Sequence, residues 1–597
     1  MQKHYFDTPE QRFKLYRDAT ECEEHREGVR DLKEIRKALA GKNGALTNRF
    51  WEALTIFLPQ CVHQNPSLAV ESMIPGSARS DSIGLKYALE VLMDRQGWLS
   101  IWQQMAADAL AWRGVGMVTH DPDAPYPRYM EGQTFLTWDG RELTVDRAAT
   151  MTMPRMHYIA PEAYFSDPYA TLSEQRRYEG HCWMESVDLI RAQAADDEEN
   201  DWVQEAVGEL TEQGETGKVK VVQLYTPHFI DDEAVANYSG DEDPSDRTLY
   251  TGTIYTMLAD GDRAYRDLRR PRLYRGPAAG LYAVGECVPN PGGGTRIAPF
   301  RAGLEQVDLD ARAGAAVTKA AIAYKRFIVA NNGIADKIRE ALQDGVVDVE
   351  VAAEFIEGIR QLETGGISNE LMQILQVSGE SADKTLGMSD TLRQVAGSDT
   401  TATAESLANQ AYTTRTGLYA APLFSTYEKM LSSAAWHIEH SPDFAIHLPD
   451  EAVEEGVQDL KRAGLPVDGA QLDPNARELV LYVGGSALNR KGDPGAAIDG
   501  KSIRIVPMSM ARTNEGLQQK RVLDGANLLM QALNIKAGHP GFDAKRYLND
   551  AGAKLNQPNL GDYLPAEEQG APQAGAPPVI PTNSPNPMRQ MAGAELR

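Results

Sequence analysis

Five short stretches of this chain have residue types and spacings that could do chemistry. Gly495-Ala496-Ala497-Ile498-Asp499-Gly500-Lys501-Ser502 matches the phosphate-binding pattern G-x-x-x-x-G-K-[ST]. That pattern works when a strand leads into it and a helix comes next, so that backbone N–H groups at the helix N-terminus face the phosphates. Here the strand-like run Leu479–Val483 lies too far upstream. The next residues, Ile503-Arg504-Ile505-Val506-Pro507, read as a strand, and no strand ending in Asp stands out to hold magnesium. A strand–loop–strand connection is the better reading. Gly114-Val115-Gly116-Met117 lacks the third glycine of a dinucleotide fingerprint and comes after a helical pattern, so it reads as a helix ending. His437 and His440 flank Glu439 with no further ligands evident, which suggests an exposed helix end more than a metal site. Asp241-Glu242-Asp243-Pro244-Ser245-Asp246 has a proline and no glycine where a calcium loop needs its turn, so it reads as a solvated acidic loop. Asp196-Asp197-Glu198-Glu199 reads as a solvated run. There is no G-x-S-x-G elbow and no recognisable Ser/His/Asp order. No catalytic residue, cofactor or metal is expected.

The elements around these stretches are mostly helical at both ends and strand-like between. Residues 8–41 carry charges at helical spacing, residues 47–65 form a helix stopped near Pro66, and residues 81–112 place Leu85, Leu89, Leu92, Trp98, Trp102, Met105 and Ala109 on one broad apolar face. From 117 to 300 the period changes to two, with strands at Val219–Tyr225 and Leu249–Tyr255 and an acidic helix pair at 184–215. Residues 302–325 are a helix rich in small residues. A mixed segment comes next, with strands at 327–329 and 346–349 and helices near 335–342 and 352–362. Residues 368–440 are nearly all helix formers, broken by Ala396-Gly397-Ser398-Asp399-Thr400. Strands return within 443–510, helices at 513–534 and 541–556, and the tail after Leu564 has too few apolar anchors to fold. The fold class expected is α+β.

The bulk properties narrow the classes. A chain of 597 residues with 42% hydrophobic residues has enough apolar sequence for a large core. No apolar window reaches membrane-spanning length, and the first residues lack a secretory h-region. Cys22, Cys61, Cys182 and Cys287 form no C-x-x-C pair, so neither a zinc knuckle nor a disulfide scaffold is expected. Synthesis in a reducing cytoplasm is the default. A net charge of −25 opposes a tight grip on DNA, which needs Lys and Arg to displace counterions. It suits a wall past which DNA slides.

The order of elements, with four groups of residues, resembles the bacteriophage portal (head-to-tail connector) family, podophage type. These are Asn48-Arg49-Phe50-Trp51 with Asn65-Pro66 and Asp108-Ala109-Leu110 before Gly114-Val115-Gly116; Tyr164-Phe165-Ser166-Asp167-Pro168-Tyr169-Ala170-Thr171; the helix 302–325 running into Phe327-Ile328-Val329; and Thr401-Ala402-Thr403-Ala404-Glu405, which is similar to the "TATE" entry of the tunnel helix with Ala404 as an extra residue. The acidic insert at 184–215 is a second departure.

The resemblance implies a wing, stem, clip and crown. Residues 1–300 and 441–510 would form the wing, 301–326 and 369–386 the two stem helices, 327–368 the clip, 401–440 the tunnel helix, 511–564 the crown, and 565–597 a disordered tail. Residues 387–400 would be a tunnel loop, presenting Met388, Ser389, Asp390, Arg393, Gln394, Ser398, Asp399 and Thr400 to DNA. The implied assembly is a dodecameric ring at one capsid vertex of the virion, through which double-stranded DNA enters and leaves. Its implied partners are the terminase large subunit, the major capsid protein, the scaffolding protein and a neck or tail adaptor protein, with no membrane. The one basic patch is Arg263, Arg266, Arg269, Arg270, Arg272 and Arg275. It reads either as ion pairing with an acidic neighbouring subunit or as contact with DNA or capsid. Two other classes stay open: an ATP-binding packaging or replication enzyme using Gly495–Ser502, and another capsid or tail structural protein. Lys501→Ala is expected to leave any nucleotide affinity unchanged in titration calorimetry; affinity lost with the lysine would favour the enzyme.

Overall fold

The computed structural model describes residues 8–42, 45–72, 79–121, 134–137, 142–144, 153–170, 175–195, 202–208, 210, 217–227, 250–259, 266–277, 279–287, 298–324, 328–329, 360–361, 368–388, 402–440, 445–447, 480–483, 501–506, 509–510, 525–535, 544, 547–548 and 551. It divides into a unit of residues 1–512 and a unit of residues 513–597. The larger unit opens with helices α1 (Pro9–Glu21), α2 (Glu23–Leu39) and α3 (Arg49–Cys61), strand β1 (Leu68–Ser72), and helices α4 (Arg79–Gln96) and α5 (Trp98–Ala111). A strand-rich block comes next: β2 (Gly114–Asp121), β3 (Thr134–Thr137), β4 (Glu142–Thr144), β5 (Met153–Ile159), β6 (Tyr164–Ser166) and β7 (Glu179–Ser186), then α6 (Val187–Ala195), α7 (Gln204–Gly208), β8 (Lys218–Thr226), β9 (Tyr250–Leu258), β10 (Arg266–Arg275) and β11 (Tyr282–Gly285). The last part holds α8 (Pro299–Tyr324), β12 (Ile328–Val329), β13 (Arg360–Gln361), α9 (Asn369–Leu386), α10 (Ala402–Glu439), β14 (Ala445–His447), β15 (Val480–Val483) and β16 (Lys501–Ile505). The protein mixes helix and sheet, in keeping with the α+β expectation.

Local chemistry explains the boundaries. Thr8 and Gln11 form a reciprocal capping box at the start of α1, with Pro9 in its first turn. The expected helix over 81–112 is two helices, because Gly97 adopts a left-handed conformation (φ 64°) that a residue with a Cβ rarely takes. The expected turn at 113–116 is instead the start of β2, which packs directly on α5. A methyl group at Gly114 would stand 2.1 Å from the Met105 carbonyl oxygen, so only glycine allows the strand to pass this close. Residues 360–361, read from sequence as the end of a helix, are a strand paired antiparallel with β12 (Ile328↔Gln361, Val329↔Arg360). The expected elements at 335–342 and 346–349 lie outside the described residues.

Five strands in the order β10-β9-β8-β7-β6 form the largest sheet. Alternation along β8 separates its two faces: Val219 and Val221 pack against α6 and α7, whereas Val222 and Leu224 share a cluster with Tyr16 and Ala19 of α1. A three-stranded sheet, β11-β2-β5, sits against the main core. Two further sheets join distant parts of the chain. β15 pairs parallel with β3, and β1 pairs antiparallel with β16 from Leu68↔Ile505 to Ser72↔Lys501.

The main core gathers α3, α4, α5 and the second half of α10. An exposed stripe on α10 (Gly417, Leu418, Ala421, Ser425) ends at Ser425, and no residue from Thr426 to Glu439 is exposed. Among these Met430, Leu431, Ala434, Ala435 and Ile438 are essentially inaccessible, which is the pattern of a helix enclosed on every side. The smaller unit has a helix at 525–535 whose Ala532 packs with Ala544 and Leu548.

Gly114→Ala should lower the unfolding free energy by about 3 kcal/mol or more in chemical denaturation. Gly208→Ala, at a position with nothing within 4 Å of an added Cβ, should stay within about 1 kcal/mol of the parent. Equal effects would contradict the close-packing account.

Candidate functional site

α8 and α9 form a pair whose outer faces are exposed. Gly303 lies against Leu386 while Asp310 accepts a hydrogen bond from the Ser378 hydroxyl at 3.2 Å, so the two helices run antiparallel. Ser368 caps the start of α9 by accepting from the Leu371 amide, and Gly387 ends it in the left-handed conformation (φ 81°). The pair is rooted in the body by one guanidinium. Arg49 donates to both carboxylate oxygens of Asp383 (3.1 and 3.2 Å) and lies 3.5 Å from Asp310, joining α3 to both helices. Gly379 lets it in, since a Cβ there would come within 2.8 Å of the Arg49 Nη2 atom. Asn48 fixes the base of the clamp. Its side-chain oxygen accepts from the Trp51 amide, and its Nδ2 donates to the Leu39 carbonyl at 2.9 Å. Arg301 adds a second root by donating to Asp31 (2.7 Å) and Glu27 (3.0 Å) on α2.

Beyond this root α9 is bare. Ser378, Gly379 and Ala382 are buried, but Met372, Ile374 and Val377 in its first half are exposed, Val377 at 66%. At about 100° per residue, Leu371, Leu375, Ser378 and Ala382 share the face turned to α8. Met372 falls on one flank of that face, and Ile374 and Val377 fall on the other. Leu309 of α8, Trp51 of α3 and the neighbouring Leu46 are exposed as well. A helix with apolar side chains on opposite flanks and only one packed side offers two different contact surfaces.

The residues expected to face DNA are mostly outside the described chain: Ser389, Asp390, Arg393, Gln394, Ser398, Asp399 and Thr400 all lie in 389–400. Met388 is a correction. It is 4% exposed and packs in the main core, its amide donating to the Asp383 carbonyl at 2.8 Å, so it belongs to the helix ending and cannot line a channel. From Tyr419 onward, most of α10 is likewise committed to the core.

The arginine cluster is an edge strand. Arg266, Arg269, Arg270, Arg272 and Arg275 all lie on β10, and Arg263 is outside the described residues. Arg269 stacks on Trp202 at 4.0 Å, the Val203 amide donates to the Leu268 carbonyl, and Arg275 donates to the His440 carbonyl at 3.3 Å. Arg270 is exposed. The segment at Trp202–Val203 bridges this edge at Leu268 and Arg269, and Pro271 lies just beyond it on the strand.

The structure also places the remaining motifs. Lys501 and Ser502 stand in β16 opposite Ser72 and Glu71, inside a strand ladder and not at a helix N-terminus. Residues 495–500, 196–199 and 241–246 lie outside the described residues. The helix end at His437–His440 is buried, not exposed as expected: His437 is 4% exposed and Glu439 fully buried. Among the described residues no group of three or more His, Cys, Asp or Glu is placed to hold a metal, and no helix is long and apolar enough to cross a membrane.

Sequence reasoning missed a buried polar hub. Arg113, pushed down to about 10 by burial, donates to the carbonyls of Tyr164 (2.6 Å) and Pro161 (3.1 Å) and stacks on Trp112. The Tyr164 hydroxyl donates to Glu179 (2.9 Å), which also pairs with Arg176. Asp167, held below the usual carboxylate range by its bonds to Arg177 despite burial, closes the turn after β6. Asp108 of α5 accepts from Tyr158 and Gln104, and burial raises it. The only signal in sequence was that Tyr164–Asp167 and Asp108 stood among the residues carrying the resemblance.

No protein-family model matches this sequence, and no curated protein matches it.

Arg49→Ala should cost about 3 kcal/mol, because it removes the cation shared by buried Asp310 and half-buried Asp383, and Arg49→Lys should recover less than half of that. A double-mutant cycle with Asp383→Asn should give a coupling above about 1 kcal/mol; simple additivity would show that the clamp is not cooperative.

Proposed function

We propose that this chain is a portal-type subunit that assembles into a ring around double-stranded DNA at a capsid vertex and carries out no reaction. The observation that carries this reading is the rooted helix pair α8–α9 with apolar side chains on both flanks of α9. A closed ring needs two different complementary faces on every subunit, because each copy meets one neighbour on each side. Met372 on one flank and Ile374 with Val377 on the other would supply them. The 18 residues of α9 rise roughly 27 Å at 1.5 Å per residue, a length suited to crossing a capsid shell. The short β12–β13 pair at the far end of the helices would belong to the clip that meets the terminase large subunit and later the neck or tail adaptor. The strand-rich block would face the major capsid protein and scaffolding protein as the wing, and a dodecamer is the assembly that the family resemblance implies.

An acidic chain with a net charge of −25 would keep DNA from sticking to the channel. The ATP-binding alternative would need a helix after Lys501 and Ser502, and these residues stand instead in β16 opposite Ser72 and Glu71.

Native mass measurement and negative-stain images of the full chain test the reading. The parent should form rings with a central hole. Val377→Glu combined with Ile374→Glu should leave folded monomers, with the circular-dichroism spectrum unchanged. A parent chain that stays monomeric at all concentrations, or a double variant that assembles as the parent does, would overturn the reading.

A further inference from the structure

Two buried histidines and one half-buried one fasten three different layers to one small sheet. His25 of α2 meets Arg113, the residue before β2, with Nδ1 and Nη2 3.2 Å apart. His181 of β7 places Nδ1 2.7 Å from the Tyr282 hydroxyl of β11. His437 of α10 stacks on His120 of β2 at 5.8 Å, with 21° between the rings. Thus α2, the five-stranded sheet and α10 each reach β11-β2-β5 through an imidazole.

At His25 and His437 the geometry demands the uncharged form. Arginine can only donate, so Nδ1 of His25 must keep its lone pair; a proton there would set N–H against N–H. Nε2 of His437 is buried without a hydrogen-bond partner among the described residues, so a charged ring would carry an unsatisfied donor. The surroundings add no compensation. His25 faces Arg113 and Lys220 of β8, and burial, then Glu286, raises Glu24 beside it on its own helix. His181 faces His157 of β5 and the Tyr282 hydroxyl, and its ring stacks on Trp183. His437 faces His120 of β2, Arg275 of β10 and His440 of its own helix, with the edge of Trp436 against it.

We propose that the β11-β2-β5 sheet is an acid-sensitive joint, released from α2, the five-stranded sheet and α10 when His25, His181 and His437 take up protons. Burial first, and neighbouring positive groups second, hold His25 and His181 down to about 4 and His437 to about 3, against an ordinary value of 6.5. Below 6.5 the unfolded or opened chain binds these protons and the closed form does not. The contribution of each histidine is therefore complete above about pH 6.5 and is lost as pH falls toward 4. At pH 5 each should weaken closure by about 20-fold relative to pH 7. The device is independent of the assembly reading.

Exchange of the imidazole C2 proton for deuterium, followed peptide by peptide in the full chain by mass spectrometry, reads the three protonation midpoints. Midpoints below pH 5 for His25, His181 and His437 are expected; midpoints at pH 5 or above for the three overturn the proposal. Equilibrium unfolding at pH 7 and pH 5 gives a second reading. The stability lost on acidification should shrink by about 20-fold in the unfolding constant for His437→Leu. An unchanged loss in His437→Leu overturns the role of that residue in the joint, and if this variant does not fold, the exchange midpoints of the parent decide.

Discussion

The enclosed second half of α10 is the constraint on which the rest of the larger unit depends. A helix buried on all sides must find a partner for each polar side chain from its neighbours or from its own backbone. Thr426 and Ser433 turn back to the carbonyls of Pro422 and Lys429. The Tyr427 hydroxyl donates to the Trp102 carbonyl, Lys429 donates to the Tyr282 carbonyl at 2.7 Å, and Glu428 accepts from the Ile505 amide. Each of these bonds fixes a different element against the helix: α5, β11 and β16. Leu423, Met430 and Leu431 fill the space between them, as close packing of an interior requires.

This arrangement separates a rigid body from a projecting part. The body is held by long-range bonds to α10 and by the Arg113–Tyr164–Glu179 hub between the two sheets. The projecting part, α8 with the first half of α9, is held at its root by the Arg49 and Arg301 ion pairs and has bare apolar flanks beyond. In an isolated chain such flanks cost free energy, and assembly would recover it by burying them.

Much of the element order was legible in the sequence. Ser368 and Gly387 bracket α9 because a cap and a left-handed turn are local chemistry, and the periodicity of 302–325 and 219–225 depends only on near neighbours. The misses share a cause. Gly97 splitting one helix into two, Gly114 opening a strand, and the arginines of β10 forming a sheet edge all depend on what lies across from them in space. Of the candidate site, Asn48-Arg49-Phe50-Trp51 was singled out for its order in the chain, while the reason for it, a clamp on Asp310 and Asp383, needed the tertiary structure.

Sequence alone determined the acidic net charge and the positions of most helices and strands, because these depend on side-chain type and on contacts within a few residues. The tertiary structure alone decided that β3 pairs with β15 and β1 with β16 across hundreds of residues, that His437 and Met388 are interior, and that Met372 and Val377 are left uncovered. The physical reason is that burial and strand pairing are properties of what the rest of the chain brings alongside, and no local pattern carries that information.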